Sequence, residues 1–313
     1  MNKRDAVLSV INSSKPTNFI PAAFFLHFDP AYHRGQAAVE RHLEYFRYTG
    51  MDFVKIQYEH GFPHNPAIQR PADWAKMPFY DLDFFTEPLA VAEGLIKAAK
   101  PEALVILTLY SPFMFAGHVA GEAVVTAHIK ENPAAVQRGM EIITDSLMGF
   151  VKECIRLGLD GFYMSTQGGE KGRLDDIDLF NQVVRPYDLA LMDEIQRNCI
   201  FNILHVCDYR LPYSDLTPFV DYPGHVVNTN LELAEDRTTA AEVSHLFDRP
   251  FMGGLDRLGI IARGSQQDIR AVVEDVLRDA PARFILGADC TVPSDTPWDN
   301  LKLAISLAHQ YNR

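Results

Sequence analysis

Short apolar runs alternate with amphipathic stretches along nearly the whole chain. The runs are Phe19–Phe25, Met51–Tyr58, Ala103–Tyr110, Gly161–Thr166, Cys199–Cys207, His225–Asn230, Pro250–Leu255 and Arg283–Ala288. They are rich in Val, Ile, Leu and Phe, as expected of strands buried on both faces. Between them the apolar spacing widens to three and four. Pro133 to Leu157 carries Val136, Met140, Ile143, Leu147, Val151 and Cys154 on one helical stripe. Leu174 to Asn198 repeats the pattern, and Pro186 should kink or divide it. Ser265 is placed to cap a helix reaching Asp279, and a last helix is expected from about Pro297 to His309.

Strand followed by helix, repeated eight times, predicts a parallel sheet closed into a single-domain (β/α)8 TIM barrel over residues 1–313. An open doubly wound sheet would carry a Gly-rich phosphate turn after its first strand. Here that turn reads Leu26-His27-Phe28-Asp29. Residues 1–18 form an N-terminal extension. Residues 61–80 form a long loop with Pro63, Pro66, Pro71 and Pro78 but no helical period. Following a barrel strand, this loop is expected on the catalytic face. Gly168-Gly169-Glu170-Lys171-Gly172 reads as a flexible loop or lid.

Composition narrows the function. Of 313 residues, 29 are Lys or Arg and 41 are Asp or Glu, a formal charge of −12. Such a balance argues against a nucleic-acid binder, whose phosphate contacts need clustered cations. No apolar run approaches the roughly 18 residues needed to cross a bilayer, and the N-terminus lacks a signal-peptide pattern. A cytoplasmic protein without membrane or nucleic-acid partners is expected. In a reducing compartment the four cysteines point to metal binding, catalysis or packing rather than disulfides.

Cys154 lies on a helix stripe and Cys199 starts a strand, so both read as packing residues. The other two differ. His205 and Cys207 are two apart on one strand, hence on one face and near its C-terminal end. Cys290 follows the last strand. One imidazole and two thiolates converging at the mouth of a barrel match a catalytic zinc site with an open fourth position.

These segments resemble a known family. Ile203-Leu204-His205-Val206-Cys207 and Phe284-Ile285-Leu286-Gly287-Ala288-Asp289-Cys290, followed by Pro293 and Asp299-Asn300, are similar to the uroporphyrinogen decarboxylase superfamily. So are Ser111-Pro112-Phe113-Met114-Phe115-Ala116 and Gly253-Gly254-Leu255-Asp256. The likeness is strongest to the zinc-dependent branch that includes methylcobamide:coenzyme M methyltransferases. It implies Zn²⁺ on His205, Cys207 and Cys290, a methylcobamide donor on a corrinoid partner protein, and a small thiol acceptor. It also implies an acidic residue on the sixth predicted strand. The chain offers Asn230 at that place, with Glu232 two residues on as a possible metal ligand by a register slip.

The chain departs from true decarboxylases. Its first loop, His27 to Arg34, holds one arginine instead of several, and Gln57 or a neighbour stands where an aspartate is expected. A lyase acting on another carboxylated substrate would have to draw on Lys55, Arg34 and Arg70. A non-catalytic member that binds a corrinoid or other ligand is the third reading. Around the metal set, His27, His60, Tyr110, Gln167, Asn230 and Asp256 end strands and are expected to bind substrate, with Phe113 and Phe115 as walls. Asp256 would reach ligand or His205, or else pair with Arg257 or Arg263.

Overall fold

Seven of the eight apolar runs form strands: β1 Phe53–Ile56, β2 Leu104–Tyr110, β3 Gly161–Thr166, β4 Ile203–Val206, β5 Val226–Thr229, β6 Phe251–Leu255 and β7 Phe284–Ala288. The computed structural model describes residues 2–12, 19–174 and 176–311, so part of the expected N-terminal extension, residues 13–18, lies outside the described residues. All strand pairings are parallel, and the order in the sheet is the order in the chain. Helices connect most neighbours. Between β4 and β5 the described residues form only a short 3-10 turn, Thr217–Phe219, in a stretch broken by Pro212, Pro218 and Pro223.

The eighth expected strand, Phe19–Phe25, is not formed as one. This segment makes two isolated parallel bridges, Ala22 to Leu286 and Leu26 to Val292. Its backbone bonds are diverted. Pro21 has no N–H to give to a ladder. On the β1 side the Ala22 N–H donates to the Asp52 carboxylate at 2.8 Å, and the Phe24 carbonyl accepts from the Tyr45 hydroxyl at 2.9 Å. The segment therefore lies between β7 and the start of β1, and the seven-stranded sheet curls without a full eighth strand.

The N-terminal end of the sheet is sealed by polar side chains. Asp52, Asp160 and Asn202 stand just before β1, β3 and β4. Asp160 and Asn202 bond back to the N–H groups of Val105 and Phe162 at 3.0 and 3.1 Å, as Asp52 does to Ala22. Helix Lys3–Asn12 covers this end, with Ala6, Val7 and Val10 buried. Its Arg4 pairs with Asp160 at 2.9 Å and its Lys3 with Asp52 at 3.8 Å. The opposite, C-terminal end stays open for chemistry.

The expected helices form. Pro133–Arg156 buries its apolar stripe, and Ser265 caps Gln266–Asp279 in a reciprocal box with Asp268. Pro186 divides its region into Ile177–Val183 and Arg185–Asn198. The 61–80 loop is ordered by Trp74, which is fully buried and donates to His128 at 3.1 Å. The loop packs on helix Pro133–Arg156 through a 3-10 turn, Pro71–Lys76.

One core carboxyl generates a pH prediction. Asp188 is fully buried; it accepts a hydrogen bond from Thr166 at 2.5 Å, and its other oxygen has no partner. Burial pushes its pKa up to about 7. The unfolded carboxyl ionises near about 4. The stability this group contributes is therefore full below that value and is lost as pH rises toward 7. Asp188→Asn should flatten that part of a urea-unfolding pH profile, on the order of 1 kcal/mol for each pH unit between the two pKa values. A variant with the wild-type slope would contradict this assignment.

Candidate metal centre

Sheet register creates the centre. Ser165 on β3 pairs with His205 on β4, and His205 with Asn228 on β5. Cys207 lies just beyond β4, tied to β3 by its N–H to the Thr166 carbonyl at 3.0 Å. The Tyr213 hydroxyl donates to the Cys207 carbonyl at 3.2 Å and pins the turn. Cys290 sits two residues past the end of β7. The His205, Cys207 and Cys290 ligand atoms all lie within 4.8 Å of one another.

All three side chains are buried, His205 at 1% exposure, yet neither His205 ring nitrogen has a hydrogen-bond partner. Buried imidazoles ordinarily bond through at least one nitrogen. The neighbouring Cys290 and the His205 ring beside it hold Cys207 well below the usual thiol range, while Cys207 and burial push Cys290 well above it. The Gln167 amide adds a donor 3.5 Å from the Cys207 sulfur. Two buried sulfurs and an imidazole without a hydrogen-bond partner form a soft donor set that suits zinc.

These sulfurs face a cavity of about 270 Å³. Across it, Lys55 donates to Gln57 at 2.7 Å and Thr108 at 2.9 Å, and burial lowers its pKa to about 7. His27 pairs with Glu59 at 2.7 Å. Tyr163 bonds to Asn228, and its ring lies 4.8 Å from that of His205. At the rim Tyr209 is flanked by the guanidinium groups of Arg210 and Arg257 at 5.2 and 4.6 Å.

The structure gathers some expected substrate residues and disperses others. His27, Tyr110, Gln167 and Phe113 line the cavity. His60 does not; its ring packs on Phe84 at 4.5 Å. Phe115 is fully buried behind the wall. Asn230 donates to Asp208 at 2.7 Å, one residue from the cluster but outside the cavity lining. Glu232 is exposed and pairs with Arg237 at 2.9 Å, because the chain after β5 turns into a small bridge there. It is not brought to the metal set. Asp256 faces a separate groove and accepts from the Leu258 N–H at 2.8 Å; it meets neither His205 nor, among the described residues, an arginine.

The Gly168–Gly172 loop, expected as a flexible loop or lid, carries a buried ion pair beneath it. Glu170 is buried beneath it, accepts from the Gly168 N–H at 2.6 Å and pairs with buried Arg173 at 3.0 Å. Arg173 reaches Glu122 on the cavity rim at 3.2 Å. Sequence reading missed this network, and also the half-buried Asp208 and the buried Asp289, carboxyls adjacent to Cys207 and Cys290. Burial pushes Asp289 up to about 6. Their adjacency to the two cysteines was the available signal.

Comparison with known proteins places this geometry in context. The uroporphyrinogen decarboxylase (URO-D) family model matches residues 36–311. A methyltransferase from Methanosarcina mazei superposes with a TM-score of 0.74 at 12% identity, covering 98% of each chain. A B12-independent methionine synthase from Shewanella sp. W3-18-1, in complex with selenomethionine, gives a TM-score of 0.52 at 10% identity, covering 93% of this chain and 97% of that one. At such identities the likeness is one of fold. No curated protein matches the chain.

The cysteine pair predicts a reactivity difference. In protein stripped of metal by a chelator, Cys207 should be alkylated by iodoacetamide at neutral pH well ahead of Cys154 and Cys199, whose thiols burial raises. Cys290→Ala should slow Cys207 alkylation about tenfold, as the neighbour that lowers its pKa is lost. Equal labelling rates in both proteins, followed by peptide mapping, would contradict the influence of Cys290 on Cys207.

Proposed function

The chain belongs to the uroporphyrinogen decarboxylase family, and on that premise we propose that it is a zinc-dependent methyltransferase, moving a methyl group from a methylcobamide on a partner corrinoid protein to a small thiol. The observation carrying this reading is the buried His205 ring, unpartnered at both nitrogens and within 4.8 Å of two thiol sulfurs. The methyltransferase and methionine synthase among the structural neighbours agree with it.

His205, Cys207 and Cys290 would hold the ion. Zinc there supplies positive charge that favours a substrate thiol in its thiolate form, while two anionic ligands leave that sulfur electron-rich. The remaining work falls to the chain. Gln167 donates toward Cys207 and holds its orientation. His27 lines the same cavity, with Nδ1 2.7 Å from Glu59 and Nε2 facing the Gln57 amide nitrogen at 3.4 Å; it would take the thiol proton at Nε2 once substrate displaces that amide. Tyr110 and Phe113 supply apolar walls that exclude water. A methylcobamide donor would supply a methyl group as an electrophile, and a thiol sulfur held beside His205, Cys207 and Cys290 would be placed to accept it.

Decarboxylation of a polyanionic tetrapyrrole receives less support. Of the three cations offered for carboxylate binding, only Lys55 lines the cavity. Arg34 and Arg70 are exposed and pair with Glu87 and Asp73.

The test is thiol-dependent demethylation of methylcobalamin, followed by the corrinoid absorbance change. The wild-type protein should turn over, and Cys207→Ala should lose activity about 100-fold or more, about 2.7 kcal/mol of barrier. Carbon dioxide release from carboxylated substrates without any demethylation would favour the lyase reading. A bound metal without either turnover would favour a ligand-binding member.

A further inference from the structure

We propose that Asp208 is a positioning residue of the metal centre: its unpartnered carboxylate oxygen accepts the ring N–H of His205 that a bound metal leaves over. The proposal rests on the metal reading of that centre. His205 offers one ring nitrogen to the group within 4.8 Å of the two sulfurs. A ligating imidazole is neutral, so its second nitrogen carries a proton. In this chain that nitrogen is buried and, among the described residues, has no acceptor. A metal on the first nitrogen does nothing for the second. Metal-bound histidines almost always donate there to a carboxylate, a backbone carbonyl or water.

Asp208 carries the complementary deficit. One carboxylate oxygen accepts from the Asn230 amide at 2.7 Å, while the other is buried and accepts from nothing. Strand register brings the two deficits to one place. His205 pairs with Asn228 and Val206 with Thr229, so Asn230, the next residue along, holds Asp208 beside the end of β4. Burial pushes the Asp208 carboxyl up, and the Asn230 bond and then the charge of the nearby His205 ring oppose that push.

Other groups around the ring are already used. Asn228 donates to the Met252 and Ala288 carbonyls at 2.9 and 3.0 Å and accepts from Tyr163. Tyr163 packs its ring against His205. Asp289, beside Cys290, accepts from the Arg257 N–H at 2.7 Å. Among the described residues three carboxyls, Glu170, Asp188 and Asp208, hold a buried oxygen without a hydrogen bond. Glu170 is paired with Arg173, and Asp188 bonds to Thr166 and Tyr222. Asp208 alone of the three adjoins a residue of the cluster, Cys207. A metal orients the ring through one nitrogen, and Asp208 then fixes it through the other.

Zinc affinity, read by competition with a chromophoric chelator, tests the assignment. Asp208→Ala should weaken zinc binding about 10- to 100-fold. Asp208→Asn keeps an acceptor oxygen but not the charge, so its loss should be smaller, about threefold to tenfold. It also serves if the alanine variant does not fold. A second readout separates positioning from general support of the fold. In zinc-loaded protein labelled with ¹⁵N-histidine, the second ring N–H of His205 should be protected from exchange with water in the wild type and lose that protection in Asp208→Ala. Zinc affinity within twofold of wild type in both variants, or an N–H that stays protected without the carboxylate, would overturn the assignment and leave the metal reading intact. A wild-type protein that binds no zinc would overturn the metal reading and the assignment with it.

Discussion

The site depends on burying an imidazole that the protein itself does not satisfy. Both nitrogens of His205 are enclosed without a hydrogen-bond partner, within 4.8 Å of two thiol sulfurs. Leaving a buried polar atom unpaired costs about 1–3 kcal/mol. A soft metal ion bonded to that ring and to both sulfurs would remove the deficit. Stability and function are thus linked at one point: the fold holds an arrangement unfavourable on its own but suited to a soft metal.

Such an arrangement persists only on a stiff frame. The ladder between β3, β4 and β5 fixes His205, and the Cys207 turn is held by β3 and by Tyr213. At the far end of the strands, Asp52, Asp160 and Asn202 tie neighbouring segments together, and helix Lys3–Asn12 covers them. The two ends of the sheet thereby divide their labour. One is closed by matched charges, while the other leaves His205, the sulfurs and Lys55 facing open space.

Much of this was legible in the sequence. The apolar runs located seven strands, and the His-x-Cys spacing with a cysteine after the last strand located the cluster, since a two-residue period needs only local geometry. What failed depended on tertiary partners. Phe19–Phe25 looks like a strand, but Pro21 and the Asp52 carboxylate divert its ladder. Glu232 shares a face with Asn228 only while the strand continues, and β5 ends at Thr229. Lys55 stood out only as one of three scattered cations. That it alone of the three faces the cavity follows from how β1 packs beside β2, which no spacing rule contains.

Metal content and coordination of the purified wild-type protein test the central claim most directly. Elemental analysis combined with zinc K-edge absorption should find one zinc per chain, with two sulfur neighbours at about 2.3 Å and one nitrogen at about 2.0 Å. Protein isolated from zinc-replete cells that carries no metal, or carries zinc with no sulfur in its coordination shell, would contradict the account.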